Sequence, residues 1–125
     1  METTKDTKPN TSNAKDVVLN FVNAMNKEDF KTARNCLSDD MVFDGMLGHR
    51  DGADVYIKDM EKMKFKYEIK KAFEDGNDVC LLYDIDMGNK KIIFTCGWYQ
   101  IQNGKIKSLK VVFDPRPVLE QSGKK

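Results

Sequence analysis

The sequence predicts an α+β domain in which three helices pack on one face of a bent, mainly antiparallel sheet. Apolar residues recur at helical spacing in the first half of the chain, whereas from residue 65 onward they recur at every second position. A chain of 125 residues has room for one hydrophobic core. We therefore expect one domain over residues 14–117, with a flexible lead-in at 1–13 and a polar tail at 118–125.

The three helices are predicted from stripes of apolar residues. The first covers residues 14–26 and follows Asn13, a residue that favours the N-cap position. The second is short and lies within residues 30–37, and the third runs from Gly52 to about residue 64. Each stripe is apolar on one side only, so each helix is expected to cover a sheet.

The strands are predicted from alternation and from turn residues. A short strand, MVFDG at 41–45, precedes the third helix, and four longer strands follow it at 65–73, 79–87, 91–102 and 105–113. The predicted element order is therefore ααβαββββ. Gly97 lies inside a strand, where a bend or a bulge is expected. Lys71 continues the apolar alternation of its strand, which indicates a bulge, a lysine that reaches out to solvent at the sheet edge, or a lysine that holds an anionic ligand group.

Composition excludes several classes of function. The chain has 21 Lys and Arg against 20 Asp and Glu, and this balance does not favour nucleic acid or an anionic membrane as a partner. The first 16 residues contain no apolar run that resembles a signal peptide or a membrane span, so a cytoplasmic location is expected. The three cysteines are widely spaced and there is one histidine, which predicts reduced thiols, no metal site and no cofactor.

Two longer phrases carry a family resemblance. VLNFVNAMNKEDFKTARNCLSDDMVFDG looks like the opening of the nuclear transport factor 2-like superfamily, and NGKIKSLKVVFDPRP looks like its close. The chain resembles in particular the SnoaL-like and ketosteroid isomerase-like branches. This resemblance implies a cone-shaped, curved sheet whose helices close an apolar cavity, in a homodimer that pairs sheet faces.

The resemblance also implies a catalytic residue. In ketosteroid isomerase-like proteins an aspartate at the end of the first strand moves the proton, and Asp44 matches that position. The matching position of the hydroxyl donor is Phe21, and no carboxylate occurs in residues 91–102, so isomerase chemistry is incomplete. The plain alternative is that Asp44 belongs to an Asp-Gly turn. His49 is either a second acid or base, or an exposed histidine of a polar loop.

The predicted ligand pocket has walls from several elements. By resemblance, Met60 on the third helix and Phe113 at the end of the last strand face the cavity, and Leu109 and Val111 share the side of Phe113. Phe21 and Trp98 complete the predicted wall, although aromatic residues at such positions also occur in ordinary cores. The tyrosines that are candidates for the same wall are Tyr56, Tyr67, Tyr83 and Tyr99.

Two classes of function remain open at this point. One is a protein that binds a small apolar molecule, with or without a reaction. The other is a dimerisation or protein-interaction module that uses the sheet face. Epoxide hydrolase chemistry is not expected, because residues 51–115 contain no arginine for the Asp-Arg-Asp set of that branch.

Overall fold

The three helices that the structure defines lie in the first half of the chain, as the sequence predicts. The computed structural model describes residues 9–46, 48–88 and 91–116, with the backbone alone for residues 9–13. The helices are α1 (Pro9–Asn26), α2 (Phe30–Asn35) and α3 (Ala53–Met63). Gly52 precedes α3 with a φ of 101°, a value that glycine adopts without the steric cost of a side chain. Gly52 thus allows the sharp turn that sends α3 back over the sheet.

Within the described ranges, six strands form one sheet. They are β1 (Leu37–Asp44), β2 (His49–Asp51), β3 (Lys66–Asp75), β4 (Asp78–Asp86), β5 (Ile92–Gln102) and β6 (Lys105–Phe113). Their order across the sheet is β2-β1-β6-β5-β4-β3, and every neighbouring pair is antiparallel except the parallel pair β1 and β6. The α+β fold, with three helices on a curved, mainly antiparallel sheet, is as predicted.

The two faces of the sheet have different environments. Strand β4 alternates strictly, with Val79, Leu81 and Tyr83 almost completely buried on the face that the helices cover. We call this the inner face and the opposite one the outer face. The helix residues that pack into the same core are Ala14, Val18, Phe21, Val22, Ala24, Met25, Ala33, Ala53, Tyr56, Ile57 and Met60. One side of the sheet therefore carries the core and, as described below, a cavity.

A side-chain clamp fixes the end of α1 to the edge of the sheet. The Asn26 side chain accepts a hydrogen bond from the Tyr67 backbone amide at 2.7 Å and donates one to the Tyr67 carbonyl at 2.9 Å. Both backbone groups of an edge residue are thus satisfied by one amide. This holds Tyr67 at the start of β3, where it faces the inner side of the sheet.

Some predicted boundaries are wrong. Helix α1 begins at Pro9, so Asn13 lies inside it and is not the N-cap; proline is favoured at the first turn of a helix. Strand β2 was not predicted, because it has only three residues. Residues 1–8 of the lead-in and the whole tail at 118–125 lie outside the described residues.

The structure has a break in strand pairing at one of the two places where the sequence predicted an irregular strand. A bend or a bulge was predicted at Gly97; pairing runs through it without a shift on both neighbouring strands, so there is no bulge, and the bend stays a prediction. The alternation does break between Ile69 and Lys71, as one interpretation of Lys71 predicted. As a result Phe73 lies on the outer face, although the alternation in the sequence predicted that it shares the face of Tyr67.

Candidate functional site

A cavity of about 330 Å³ lies between α3, the inner face of the sheet and the loop that joins β1 to β2. Its wall is mostly aliphatic, aromatic or thioether. The residues that line it are Phe43, Gly45, Met46, Gly48, Arg50, Tyr56, Met60, Met63, Phe65, Tyr67, Tyr83, Ile85, Met87, Leu109, Val111 and Phe113. Such a surface favours an apolar occupant, because water gains few hydrogen bonds in it.

The β1–β2 hairpin places alternate residues in and outside the cavity. Phe43 pairs with Arg50, and both line the cavity. Asp44 pairs with His49 and, on its other side, with Lys110 of β6. Since neighbouring residues of a strand point to opposite faces, Asp44 and His49 lie on the outer face. Neither is among the residues that line the cavity.

The outer residues of the hairpin form a small charged cluster. Asp44 Oδ1 lies 2.5 Å from His49 Nδ1, and Asp51 Oδ1 lies 3.0 Å from His49 Nε2. Both ring nitrogens therefore face a carboxylate, an arrangement that suits the doubly protonated ring. The hydrogen bond to Asp44, followed by the one to Asp51, raises the pKa of His49 above its usual 6.5. The role of Asp44 as a catalytic base stays a prediction, and its carboxylate is held outside the cavity.

We expect an NMR titration to give His49 a pKa above 6.5, and the Asp44→Asn substitution to lower it toward that value. Because the folded-state pKa is raised, the cluster adds its stability below the unfolded-state pKa of about 6.5 and loses it as the pH rises through the folded-state pKa. Asp40→Asn is the matched control, since Asp40 is an exposed β1 carboxylate that contacts Lys107. A His49 pKa at or below 6.5 in the wild type contradicts this description.

Arg50 is the one residue in the cavity wall, as far as the structure describes it, that carries a permanent charge. Its Nε donates to the carboxylate of Asp59 on α3, and both side chains are largely covered. The guanidinium holds the pKa of Asp59 below its usual value through this hydrogen bond. The pair thus ties the short strand β2 to the helix that forms one wall of the cavity.

Tyr56, Tyr67 and Tyr83 line the cavity, and Tyr99 packs behind it. The hydroxyls of Tyr83 and Tyr99 lie 2.7 Å apart, and both side chains are almost fully buried. The rings of Tyr67 and Tyr83 meet edge to face, with centroids 5.3 Å apart. Burial raises the pKa of Tyr56, Tyr67 and Tyr83, so these phenols remain neutral hydrogen-bond donors at physiological pH.

The predicted wall residues are divided between the cavity and other surroundings. Met60, Leu109, Val111 and Phe113 line the cavity. Phe21 is buried directly behind it, with its ring centroid 6.4 Å from that of Tyr56. Trp98 lies on the outer face, where its Nε1 donates to Asp78 at 3.0 Å and the Lys110 ammonium sits 5.5 Å above its ring.

Sequence reasoning missed the hairpin side of the cavity. Phe43, Arg50 and the loop glycines were not predicted to lie in the wall. Their outward-facing neighbours Asp44 and His49 were proposed instead as site residues. A signal was present, because Met41 and Phe43 alternate with Val42 and Asp44, and this pattern puts Phe43 on the covered face. The methionines at the ends of elements, Met46, Met63 and Met87, carry no such signal.

No metal site is formed by the described part of the chain, where no group of three or more histidine, cysteine or acidic side chains converges. Cys36, Cys80 and Cys96 are free and partly buried, as predicted for reduced thiols. Burial raises the pKa of the Cys36 and Cys80 thiols, which disfavours the thiolate. Among the described helices, none combines the length and the apolar character that spanning a bilayer requires. The predicted cytoplasmic location stays a prediction.

Comparison with solved structures gives a relative of high identity. This is an NTF2-like protein of unknown function from Cytophaga hutchinsonii ATCC 33406, which is 48% identical, has a TM-score of 0.83, and aligns over 95% of this chain and 100% of its own. Two more distant structures are similar in fold. An M. tuberculosis LEH-like epoxide hydrolase is 23% identical over 91% of this chain and 98% of its own, with a TM-score of 0.77. A candidate ketosteroid isomerase from Kribbella flavida DSM 17836 is 9% identical over 83% of this chain and 79% of its own, with a TM-score of 0.76.

The family follows from a sequence model. No curated protein matches the chain. The model of the SnoaL-like domain matches residues 18–109, which include α2, α3 and every strand at least in part. The chain therefore belongs to the SnoaL-like domain family and has the NTF2-like fold.

Proposed function

We propose that this protein binds a small apolar molecule in the cavity between α3 and the inner face of the sheet. The observation that carries the proposal is the cavity itself, because its volume of about 330 Å³ falls within the range of about 300 to 1,000 Å³ typical of ligand sites. An apolar ligand there would bury its surface against aromatic and aliphatic side chains. That burial is favourable by roughly 25 cal/mol per Å² of apolar surface.

The composition of the wall suggests a site that accepts ligands of different shapes. Met46, Met60, Met63 and Met87 all line the cavity, and methionine side chains adapt to ligands of different shapes. Met46 and Met63 are also substantially exposed, so they lie where the cavity meets solvent. We infer that these two side chains move when a ligand enters.

The site supports binding better than it supports a reaction. Among the described residues of the wall there is no carboxylate, histidine or cysteine that would act as a base or a nucleophile. The epoxide hydrolase and the candidate ketosteroid isomerase share the fold at identities too low to transfer an activity. Catalysis through Asp44 remains a separate hypothesis that the same ligands test.

A thermal-shift screen tests the proposal. The wild type and Asp44→Asn would be heated with steroids, polyketide-like aromatics, small terpenoids and fatty acids, because a ligand that binds the folded state raises the melting temperature. We expect one class to raise it in both proteins to a similar extent, since Asp44 lies outside the cavity. A loss of the shift in Asp44→Asn would instead place Asp44 in the site, and no shift with any class would contradict the proposal.

A second candidate function is self-association through the outer face. Four large apolar side chains of this face are more than half exposed, namely Phe73 at 56%, Ile92 at 53%, Phe94 at 60% and Val112 at 58%. Exposed apolar patches on a small domain commonly mark contacts with another protein. We propose that two copies of the chain pair these faces as a homodimer.

We expect Phe94→Lys to shift the protein from dimer to monomer in sedimentation analysis, because a lysine at this position would bury a charge in the interface. The substitution should be tolerated in the monomer, since Phe94 pairs with Asp84 across β4 and β5. Val55→Lys is the control, because Val55 is equally apolar and half exposed but belongs to α3. A wild type that remains monomeric at high concentration rules out this candidate and leaves the cavity proposal intact.

A further inference from the structure

Arg50 places a positive charge in the cavity wall, and a purely apolar ligand would make no specific interaction with that charge. An ionised group beside an apolar wall is costly unless it has partners. The Arg50 side chain is 25% exposed, and it stands in the wall together with Phe43 and Gly48.

Asp59 satisfies only one edge of the guanidinium. The ion pair uses the Arg50 Nε, whereas arginine offers five N–H donors in a planar fork. In the part of the chain that the structure describes, Nη1 and Nη2 of Arg50 donate no hydrogen bond. The Asp59 carboxylate therefore orients the fork and leaves its terminal edge available.

The terminal edge lies at the cavity. A methyl group added at Gly48, itself a wall residue, would be only 3.0 Å from Arg50 Nη1. The Arg50 charge also reaches the fully buried Tyr56 phenol: burial raises the pKa of that phenol, and the guanidinium acts in the opposite direction. Arg50 thus acts on the cavity interior as well as on the surface.

We propose that Arg50 is the head-group site of the cavity, and that the ligand is an apolar carboxylic acid. Its carboxylate accepts hydrogen bonds from Nη1 and Nη2, and its apolar body lies against Met60, Leu109 and Val111. Guanidinium and carboxylate form two parallel hydrogen bonds of this kind, which are stronger than hydrogen bonds between neutral groups. This inference rests on the proposed function and adds the chemical class of the ligand.

Matched pairs of ligands test it. Calorimetry would compare decanoate with 1-decanol, and 2-naphthylacetate with its methyl ester, so that each pair differs at the head group and little elsewhere. We expect the wild type to bind the acid about tenfold or more tightly than the neutral partner. Arg50→Gln should remove this preference and keep the affinity for the neutral compound, and Arg50→Lys should keep part of the preference.

The outcomes separate this inference from the proposed function. Neutral compounds that bind as tightly as the acids, or a preference that survives in Arg50→Gln, would overturn the inference and leave the cavity proposal standing. Equal loss of acid and neutral binding in both Arg50 variants would mean that Arg50 only holds the hairpin on α3, which also overturns it. If no compound binds the wild type, both proposals fail.

Discussion

Val111→Trp is expected to abolish ligand binding, whereas Val112→Trp should leave it unchanged. Val111 lines the cavity, and its neighbour on β6 lies on the outer face. An indole at position 111 would occupy space that the ligand needs, so we expect affinity to fall about a hundredfold or more, equivalent to about 3 kcal/mol. Calorimetry with any compound found by the screen measures the difference.

The pair of variants isolates the cavity from other effects of tryptophan. Both substitutions place the same side chain on the same strand one residue apart, so a change of strand propensity affects both. Met60→Trp fills the cavity from the helix side and repeats the test if Val111→Trp folds poorly. Binding that survives in both filled variants, with circular dichroism spectra like the wild type, would contradict the cavity as the ligand site.

Gly97→Ala is expected to cause the largest loss of stability among single methyl additions at the described glycines. A Cβ at Gly97 would lie 2.5 Å from the Tyr83 hydroxyl oxygen and 3.0 Å from Tyr99 Cε1. Neither ring has room to retreat, because both are almost fully buried and their hydroxyls are hydrogen-bonded to each other. Overpacking of this kind costs about 2 kcal/mol, or roughly 6 to 10 °C in melting temperature for a chain of this size.

A double-mutant cycle identifies the cause of that loss. Tyr83→Phe removes the oxygen that the new methyl group would meet, although by itself it costs about 1 kcal/mol by leaving the Tyr99 hydroxyl without its partner. We expect the double variant to lose less free energy of unfolding than the sum of the losses of the two single variants, as measured by denaturant unfolding. Simple additivity would mean that the methyl group acts through the strand backbone and not through Tyr83.

Gly97 also illustrates what sequence patterns leave undetermined. A glycine inside a strand indicates a bulge or a close approach, and periodicity cannot distinguish them. Here Tyr83 of β4 crosses over Gly97 to reach Tyr99, so the absence of a side chain makes room for a ring from another strand. That contact depends on the register of β4 and β5, which the sequence does not display.

The fold was predicted better than the site for a related physical reason. Helices and strands can be predicted from the local spacing of apolar residues. Strand β6, Lys105–Phe113, was predicted with the boundaries it has. A site depends on which face each residue takes, and one position of error moves a side chain to the other face. The family resemblance led to Asp44, and the titration of histidine near neutral pH led to His49, whereas their neighbours Phe43 and Arg50 line the cavity.

The distribution of methionines provides the most direct test of the proposed function. Met46, Met60, Met63 and Met87 line the cavity, whereas Met25 and Met41 are buried in the core elsewhere. With methionine methyl groups labelled with ¹³C, each side chain gives one NMR signal that reports on its own surroundings. Trp98, the single tryptophan, reports separately on the outer face through its indole signal.

The measurement is a titration of the labelled protein with the best compound from the screen. A ligand in the cavity is predicted to shift the methyl signals of Met46, Met60, Met63 and Met87, with the signals of Met25, Met41 and Trp98 unchanged. Shifts confined to Trp98 would place the compound on the outer face, and binding without any shift of the four cavity methionines would contradict the account.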